Sequence, residues 1–249
     1  MKRKLVILSL IVALLTLPLA LACARPAAPA GPVTLNLVAS FVKDMVTMKG
    51  PGYFVDEVNK RAKGELVINW KGGPEIIPTF DQPDALIKNT IDLNACVTNY
   101  YAGVLPAAYV LELSRFSPAE QGPGTKVYDF LVKMFETKGI RYVGEYTCAP
   151  GIMGFYVLTN KEIKKPEELA GMKIRVSPLT RHFAEALGMM PITLPAGDIY
   201  LAMERKTVDG FIWPIYDTFN EMGFPEVTKY AIDHPAYHGI AGVFVNLNV

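Results

Sequence analysis

Enzyme signatures are what this 249-residue sequence has least of. It contains no G-x-S-x-G, no G-x-x-x-x-G-K-[ST], no G-x-G-x-x-G and no C-x-x-C. The sequence signals of a nucleophile elbow, a P-loop, a dinucleotide fold and a redox dithiol are therefore missing. Histidine is scarce, with only His182, His234 and His238. His182 falls on a predicted helix and reads as a surface residue. His234 and His238 are four apart, but Pro235 between them and Gly239 after them break a helical zinc pair. A loop metal site with Asp233 is the metal reading left open. Carboxylates are scattered, with no pair that separates into acid and base. Excess charge of one sign is lacking too: 25 Lys plus Arg stand against 24 Asp plus Glu. No basic run occurs beyond the N-terminus, so there is no electrostatic footprint for nucleic acid.

What is present begins at the N-terminus. Lys2, Arg3 and Lys4 precede an uncharged run from Leu5 to Ala22, and small residues follow. This is the pattern of an export signal over 1–22. A membrane anchor is the competing reading, and Pro18 with the small-residue exit favours cleavage. Cys23 directly after small residues resembles the bacterial lipobox, in which the thiol is lipidated. Ala20 and Leu21 depart from that pattern, and Ala20 with Ala22 also fits ordinary signal-peptidase cleavage. A lipoprotein and a free periplasmic protein both stay open. The Pro/Ala-rich stretch over 23–32 reads as a flexible tether. Cys96 and Cys148 end predicted strands, and either a disulfide or two buried thiols fits them.

From Val33 the pattern is regular. Strands are expected over 33–40, 65–70, 91–97, 140–146, 172–176 and 208–213, with a further strand in "MPITLP". Helices are expected over 53–64, 84–90, 125–139, 165–171, 179–188 and 198–207, several of them closing on glycine. Short strands alternating with helices mean an α/β architecture with largely parallel sheets. "ALIKNTIDLNA" (85–95) and "AMERKTVDGFI" (202–212) echo one another at a constant offset that pairs Asp92 with Asp209. The echo suggests two similar lobes.

The stretch "GMKIRV" (171–176) alternates, placing Lys173 and Arg175 on one face and Met172, Ile174 and Val176 on the other. A half-buried strand with a solvated outer face satisfies that pattern. Ligands in open α/β sheets, however, sit beyond the carboxyl ends of strands, which is where Arg175 falls. Asn99, Tyr100 and Tyr101 follow one strand, and aromatics mark "FYV" (155–157) and "GFIWP" (210–214). Aromatic walls, a few polar groups and one fixed cation suit a small organic anion.

The stretches "KKPEELAGMKIRV", "EALGMMPITLPAGDIYLAMERKTVDG" and "VNKRAKGELVINWKGG" resemble the DctP-type solute-binding receptors of TRAP (tripartite ATP-independent periplasmic) transporters. The resemblance runs from about Val33 to Val249. It implies a two-lobed, type II-like periplasmic-binding-protein fold with a ligand cleft between the lobes. Lobe I is expected over 33–155, with 240–249 returning to it, and lobe II over 156–239. It also implies a carboxylate held by Arg175, whose planar fork takes both oxygens at once. The expected ligand-binding set is Arg175, Trp213, Tyr156, Asn99, Tyr100, Phe41 and Phe211. No catalysis and no cofactor are expected; the partners are a carboxylate and the transporter's membrane subunits.

Three departures shape the pocket. No second arginine stands near Phe155 and Tyr156. Trp213 replaces an asparagine common in relatives. Ile212 replaces the glutamate that accompanies a metal ion in some keto-acid-binding relatives. Together they point to a monocarboxylate with an apolar or aromatic body. The chain stops inside a predicted strand at "GVFVNLNV", where relatives continue with further helices, so a C-terminal part is expected to be missing. An exported enzyme using Asp233, His234 and His238, and the binding lobe of a sensor, are the alternatives.

Overall fold

Val38 faces one side of its strand and Leu37 and Ala39 the other, and all three are fully buried. A strand apolar on both faces must lie between two layers of other elements, and the computed structural model shows that arrangement twice. It describes residues 31–110, 112–113, 116–117, 119–146 and 154–249. The predicted export signal, Cys23, most of the tether and Cys148 lie outside the described residues.

The first half of the chain supplies β1 (Val33–Ala39), α1 (Lys49–Arg61), β2 (Leu66–Gly72), α2 (Gln82–Ile87), β3 (Leu93–Val97), α3 (Lys126–Glu136) and β4 (Ile140–Glu145). The second supplies β5 (Gly154–Thr159), β6 (Lys173–Val176), α4 (Arg181–Ala186), β7 (Met190–Thr193), α5 (Ile199–Glu204) and β8 (Gly210–Pro214). It then adds α6 (Asp217–Glu221), α7 (Phe224–Val227), β9 (Tyr230–Ala231), β10 (Tyr237–His238) and β11 (Ala241–Asn246). One sheet has the order β2-β1-β3-β11-β4 and the other β10-β5-β8-β6-β7, with β9 added on β5. Two lobes of one design result.

The sheets are mixed rather than largely parallel. β1 runs parallel to β3, and β6 parallel to both β7 and β8. β11 is antiparallel to β3 and β4, and β5 antiparallel to β8. The antiparallel members are those reached after the chain has crossed between sheets: β11 arrives from the second half to complete the first sheet. Gly210 begins β8 where a Cβ would meet the Leu158 carbonyl oxygen at 2.3 Å. Only glycine permits so close a strand approach.

The echo between the halves is a shared set of bonds. The Asp92 carboxylate accepts from the Asn36 N–H (2.7 Å), and the Asp209 carboxylate accepts from the Lys173 N–H (2.8 Å). In return the Asp92 N–H donates to the Asn36 carbonyl and the Asp209 N–H to the Lys173 carbonyl. Thr90 and Thr207 close their helices alike, donating to the Ala85 and Ala202 carbonyls at 2.8 Å.

Local chemistry explains the helices. In α3, Leu131, Met134 and Phe135 are buried at helical spacing, and the Thr125 hydroxyl accepts from the Tyr128 N–H to cap the first turn. The first long helix starts at Lys49, ahead of the expected 53, because Pro51 is tolerated in a first turn. "KPEELAG" forms only a 3₁₀ turn, Pro166–Leu169. The outer face expected of β6 is not solvated. Lys173 is exposed, but Arg175 is 2% exposed, because both faces of β6 are covered by side chains.

Candidate binding site

At the carboxyl end of β3 the chain turns into a 3₁₀ segment, Thr98–Gly103, fixed from beneath by a buried polar network. Gln82 donates to the Ala39 and Ile77 carbonyls, and Asn94 donates to the Val38 carbonyl and Gln82 Oε1. The Tyr101 hydroxyl donates to Asn94 Oδ1 at 2.8 Å. Every member is paired, so the turn is rigid. It carries Asn99 and Tyr100 toward the second lobe.

Arg175 stands opposite, next to last in β6. Its Nε donates to the Leu194 carbonyl at 2.8 Å, and its guanidinium carbon lies 5.8 Å from the centre of the Trp213 ring. Its Nη2 is buried and has no hydrogen-bond partner among the described residues. Burial pulls the arginine's pKa down, while the Tyr100 and Tyr237 hydroxyls beside it act the other way. The guanidinium remains charged nonetheless, since arginine does not deprotonate in proteins. Burial pushes Tyr100 up to about 12, with Arg175 opposing. Burial also raises Tyr237, whose hydroxyl is bonded to Ser177.

Trp213 is 5% exposed, and its indole N–H donates to Thr218 Oγ1 at 3.2 Å. With that polar end satisfied, it presents only its ring. Phe41, just after β1, meets Trp213 edge-on at 6.4 Å, and Phe155 meets it at 6.2 Å while stacking on Tyr237. Phe41, Val97, Phe155, Trp213 and Ile240 line a small apolar chamber of about 40 Å³. A second chamber on the other side of Phe41 is lined by Ser40, Thr79, Pro195 and Asp198.

Of the residues expected to bind ligand, the structure thus gathers Arg175, Trp213, Tyr100 and Phe41, with Asn99 adjacent to Tyr100. Tyr156 is not among the chamber walls; its hydroxyl end folds back over Gly154, and its neighbour Phe155 takes the wall position. Phe211 is fully buried against Phe224, with ring centres 4.7 Å apart, and belongs to the core beneath Trp213. Interior β8 is buried along its whole length, so strand position alone does not separate wall from core.

Sequence reasoning missed Glu112 and Tyr237. Glu112 is 1% exposed, and its carboxylate accepts from the Thr98 hydroxyl, the Asn99 N–H (2.6 Å) and Asn99 Nδ2 (2.8 Å). Burial raises it to about 7 against the pull of those bonds. Its only signal is a lone carboxylate between Leu111 and Leu113. Tyr237 begins β10, in the stretch that the histidines had marked. Cys96 is a free, buried thiol. Asp233 and His234 are exposed, and no three His, Cys, Asp or Glu side chains gather among the described residues. Ile212, which stands where the resemblance implies a glutamate in some relatives, is a buried apolar side chain.

The family model described as bacterial extracellular solute-binding protein, family 7, matches residues 42–249. The 2,3-diketo-L-gulonate-binding periplasmic protein YiaO of Escherichia coli is 28% identical over 199 residues, 74% of this chain and 57% of that one. A monocarboxylate 2-oxoacid-binding periplasmic protein of Nostoc is 26% identical over 189 residues, 73% of this chain and 50% of that one. The chain thus spans about half the length of these relatives. A TRAP periplasmic solute-binding protein of Pseudoalteromonas atlantica, solved with sodium and pyruvate, superposes with a TM-score of 0.76 at 16% identity. That superposition covers 87% of this chain and 67% of the other. One from Haemophilus influenzae, solved with L-gulonate, gives 0.71 at 19% identity, covering 87% and 71%. The fold is shared with both.

Proposed function

This chain belongs to family 7 of the bacterial extracellular solute-binding proteins, and from that premise we propose that it captures a small monocarboxylate outside the cytoplasm. It then delivers the acid to the membrane subunits of a TRAP-type transporter, either free in the periplasm or tethered through a lipid on Cys23. The observation that carries this reading is the state of Arg175. A charged guanidinium with one nitrogen unpartnered among the described residues is costly to bury. A ligand carboxylate supplies the missing acceptor in a water-poor site, where charge-assisted bonds are strong.

The remaining walls favour a ligand with an apolar body. Phe41, Phe155 and Trp213 offer ring surface, with the indole N–H already occupied. The two curated relatives are named for acids, a diketo-gulonate and 2-oxoacids, which supports a carboxylate class. Capture follows from population shift: the closed arrangement alone sets Tyr100 of one lobe against Arg175 of the other, so an acid that bridges them favours closure. No bond of the ligand is made or broken.

Native mass spectrometry of the purified protein beside Arg175→Ala tests the proposal. Wild type should carry a small acid that the variant lacks, and titration with that acid should show a loss of about 2–5 kcal/mol. An acid retained equally by Arg175→Ala overturns the assignment of the clamp.

A further inference from the structure

The bonds around Glu112 settle how the Asn99 side chain is turned. Glu112 Oε1 accepts from the Thr98 hydroxyl and the Asn99 backbone N–H, and Oε2 accepts from Asn99 Nδ2. An ionised carboxylate only accepts, so in that form of Glu112 the Asn99 amide presents its NH₂ to it. Asn99 Oδ1 is thereby turned away, and it is buried with no hydrogen-bond partner among the described residues. Asn99 itself is 1% exposed. It sits between Val97, which lines the apolar chamber, and Tyr100, whose hydroxyl faces Arg175.

Two strand ends on different lobes, linked by the Tyr100 hydroxyl facing Arg175, therefore carry opposite unmet demands. Arg175 Nη2 is a buried donor on the second lobe, and Asn99 Oδ1 is a buried acceptor on the first. Buried polar atoms in native proteins are paired in the great majority of cases. We propose that Asn99 Oδ1 accepts a hydrogen bond from the ligand, so that the receptor selects acids carrying a hydroxyl or N–H donor beside the carboxylate over the corresponding oxo acids. The inference rests on Arg175 holding the carboxylate. Glu112 is then a positioning residue: it touches no ligand but decides which end of the Asn99 amide faces it. A carbonyl brought against Oδ1 pairs acceptor with acceptor, and an unsubstituted carbon leaves Oδ1 unpaired.

Glu112→Gln gives the distinctive test. A glutamine in the same place keeps its Oε1 for Thr98 and the Asn99 N–H and puts an NH₂ where Oε2 was. The Asn99 amide then turns over to accept from it, and presents its own NH₂ toward the ligand. Calorimetric titration would use three acids of one skeleton: 2-hydroxy-4-methylpentanoate, 2-oxo-4-methylpentanoate and 4-methylpentanoate. Wild type should bind the hydroxy acid about tenfold or more tightly than the oxo acid. Asn99→Leu should bring the hydroxy and oxo acids level, and Glu112→Gln should reverse their order. A merely structural role for Glu112 would weaken all three acids alike.

An unchanged ratio in both variants, or a wild-type preference for the oxo acid, overturns the assignment of Asn99. Binding of all three acids that survives Arg175→Ala instead overturns the carboxylate clamp. Equal wild-type affinities that all depend on Arg175 remove Asn99 alone. Failure of all three acids to bind overturns the apolar-bodied monocarboxylate class itself.

Discussion

The guanidinium of Arg175 lies over the Trp213 ring at 5.8 Å, a buried cation with an aromatic face beneath it and Asp198 acting on it through its field. The ring offsets part of the cost of burial, since cation–π contacts are worth about 2 kcal/mol when desolvated. The rest is carried by the fold until a ligand arrives.

Stability and binding should therefore move in opposite directions at this residue. Arg175→Met keeps most of the volume and removes the charge. The ligand-free protein should gain about 1–4 kcal/mol in urea unfolding while losing its acid ligand. A variant less stable than ligand-free wild type would show that Arg175 is a structural brace.

Glu112 should make stability depend on pH. Its folded-state pKa is about 7 against an ordinary 4.5, so the folded protein binds the proton more tightly than the unfolded chain. Stability should be highest below pH 4.5 as far as this group is concerned, and fall as pH rises toward 7. The fall approaches roughly 3 kcal/mol. Glu145, raised to about 7 by burial, adds in the same direction. Urea midpoints between pH 4.5 and 8 check this, and Glu112→Gln should flatten the curve.

The same proton should alter specificity. Protonated at Oε2, Glu112 becomes a donor toward Asn99, as Glu112→Gln is. The preference for hydroxy over oxo acids should shrink between pH 8 and pH 6 in wild type and stay constant in Glu112→Gln. The ionisable groups that feel Glu112 are Cys96, Tyr100, Tyr109 and Tyr237, and each has its pKa raised, so none ionises over that range. Affinity ratios measured across the range decide it.

Asp92 and Asp209 should behave as independent copies of one brace. Each carboxylate takes a backbone N–H of the neighbouring parallel strand, in separate sheets. Asp92→Ala and Asp209→Ala should each cost about 1–3 kcal/mol, and the double variant close to the sum. A marked departure from additivity would reveal coupling between the lobes through their cores.

Much of this was legible in the sequence because it depends on local chemistry. The repeat of Thr, a β-branched residue and Asp marks a helix end, a strand start and a brace, all within one short window. Arg175 was legible as a cation at a strand end. Glu112 was not, because its partners Thr98 and Asn99 reach it only after the loop folds back, and its composition resembles a surface residue. Phe155 and Tyr156 show a second limit: neighbours on a strand face opposite ways, so an error of one position exchanges wall for non-wall. Phe211 shows a third. An interior strand buried on both faces gives no alternation to distinguish the cleft side from the core side.

β11 has a consequence for how the chain reaches this structure. It lies between β3 and β4, and among the described residues β4 has no other neighbour in its sheet. As synthesis proceeds, β4 emerges with no strand to pair with, and waits while the whole second sheet is made. Only when residues 241–246 appear can the gap close. The first lobe is thus finished by the last strand of the chain described here, a contact far apart in sequence and slow to form. Until then the edges of β3 and β4 are open to pairing with other chains, so export and folding must keep that interval short or covered.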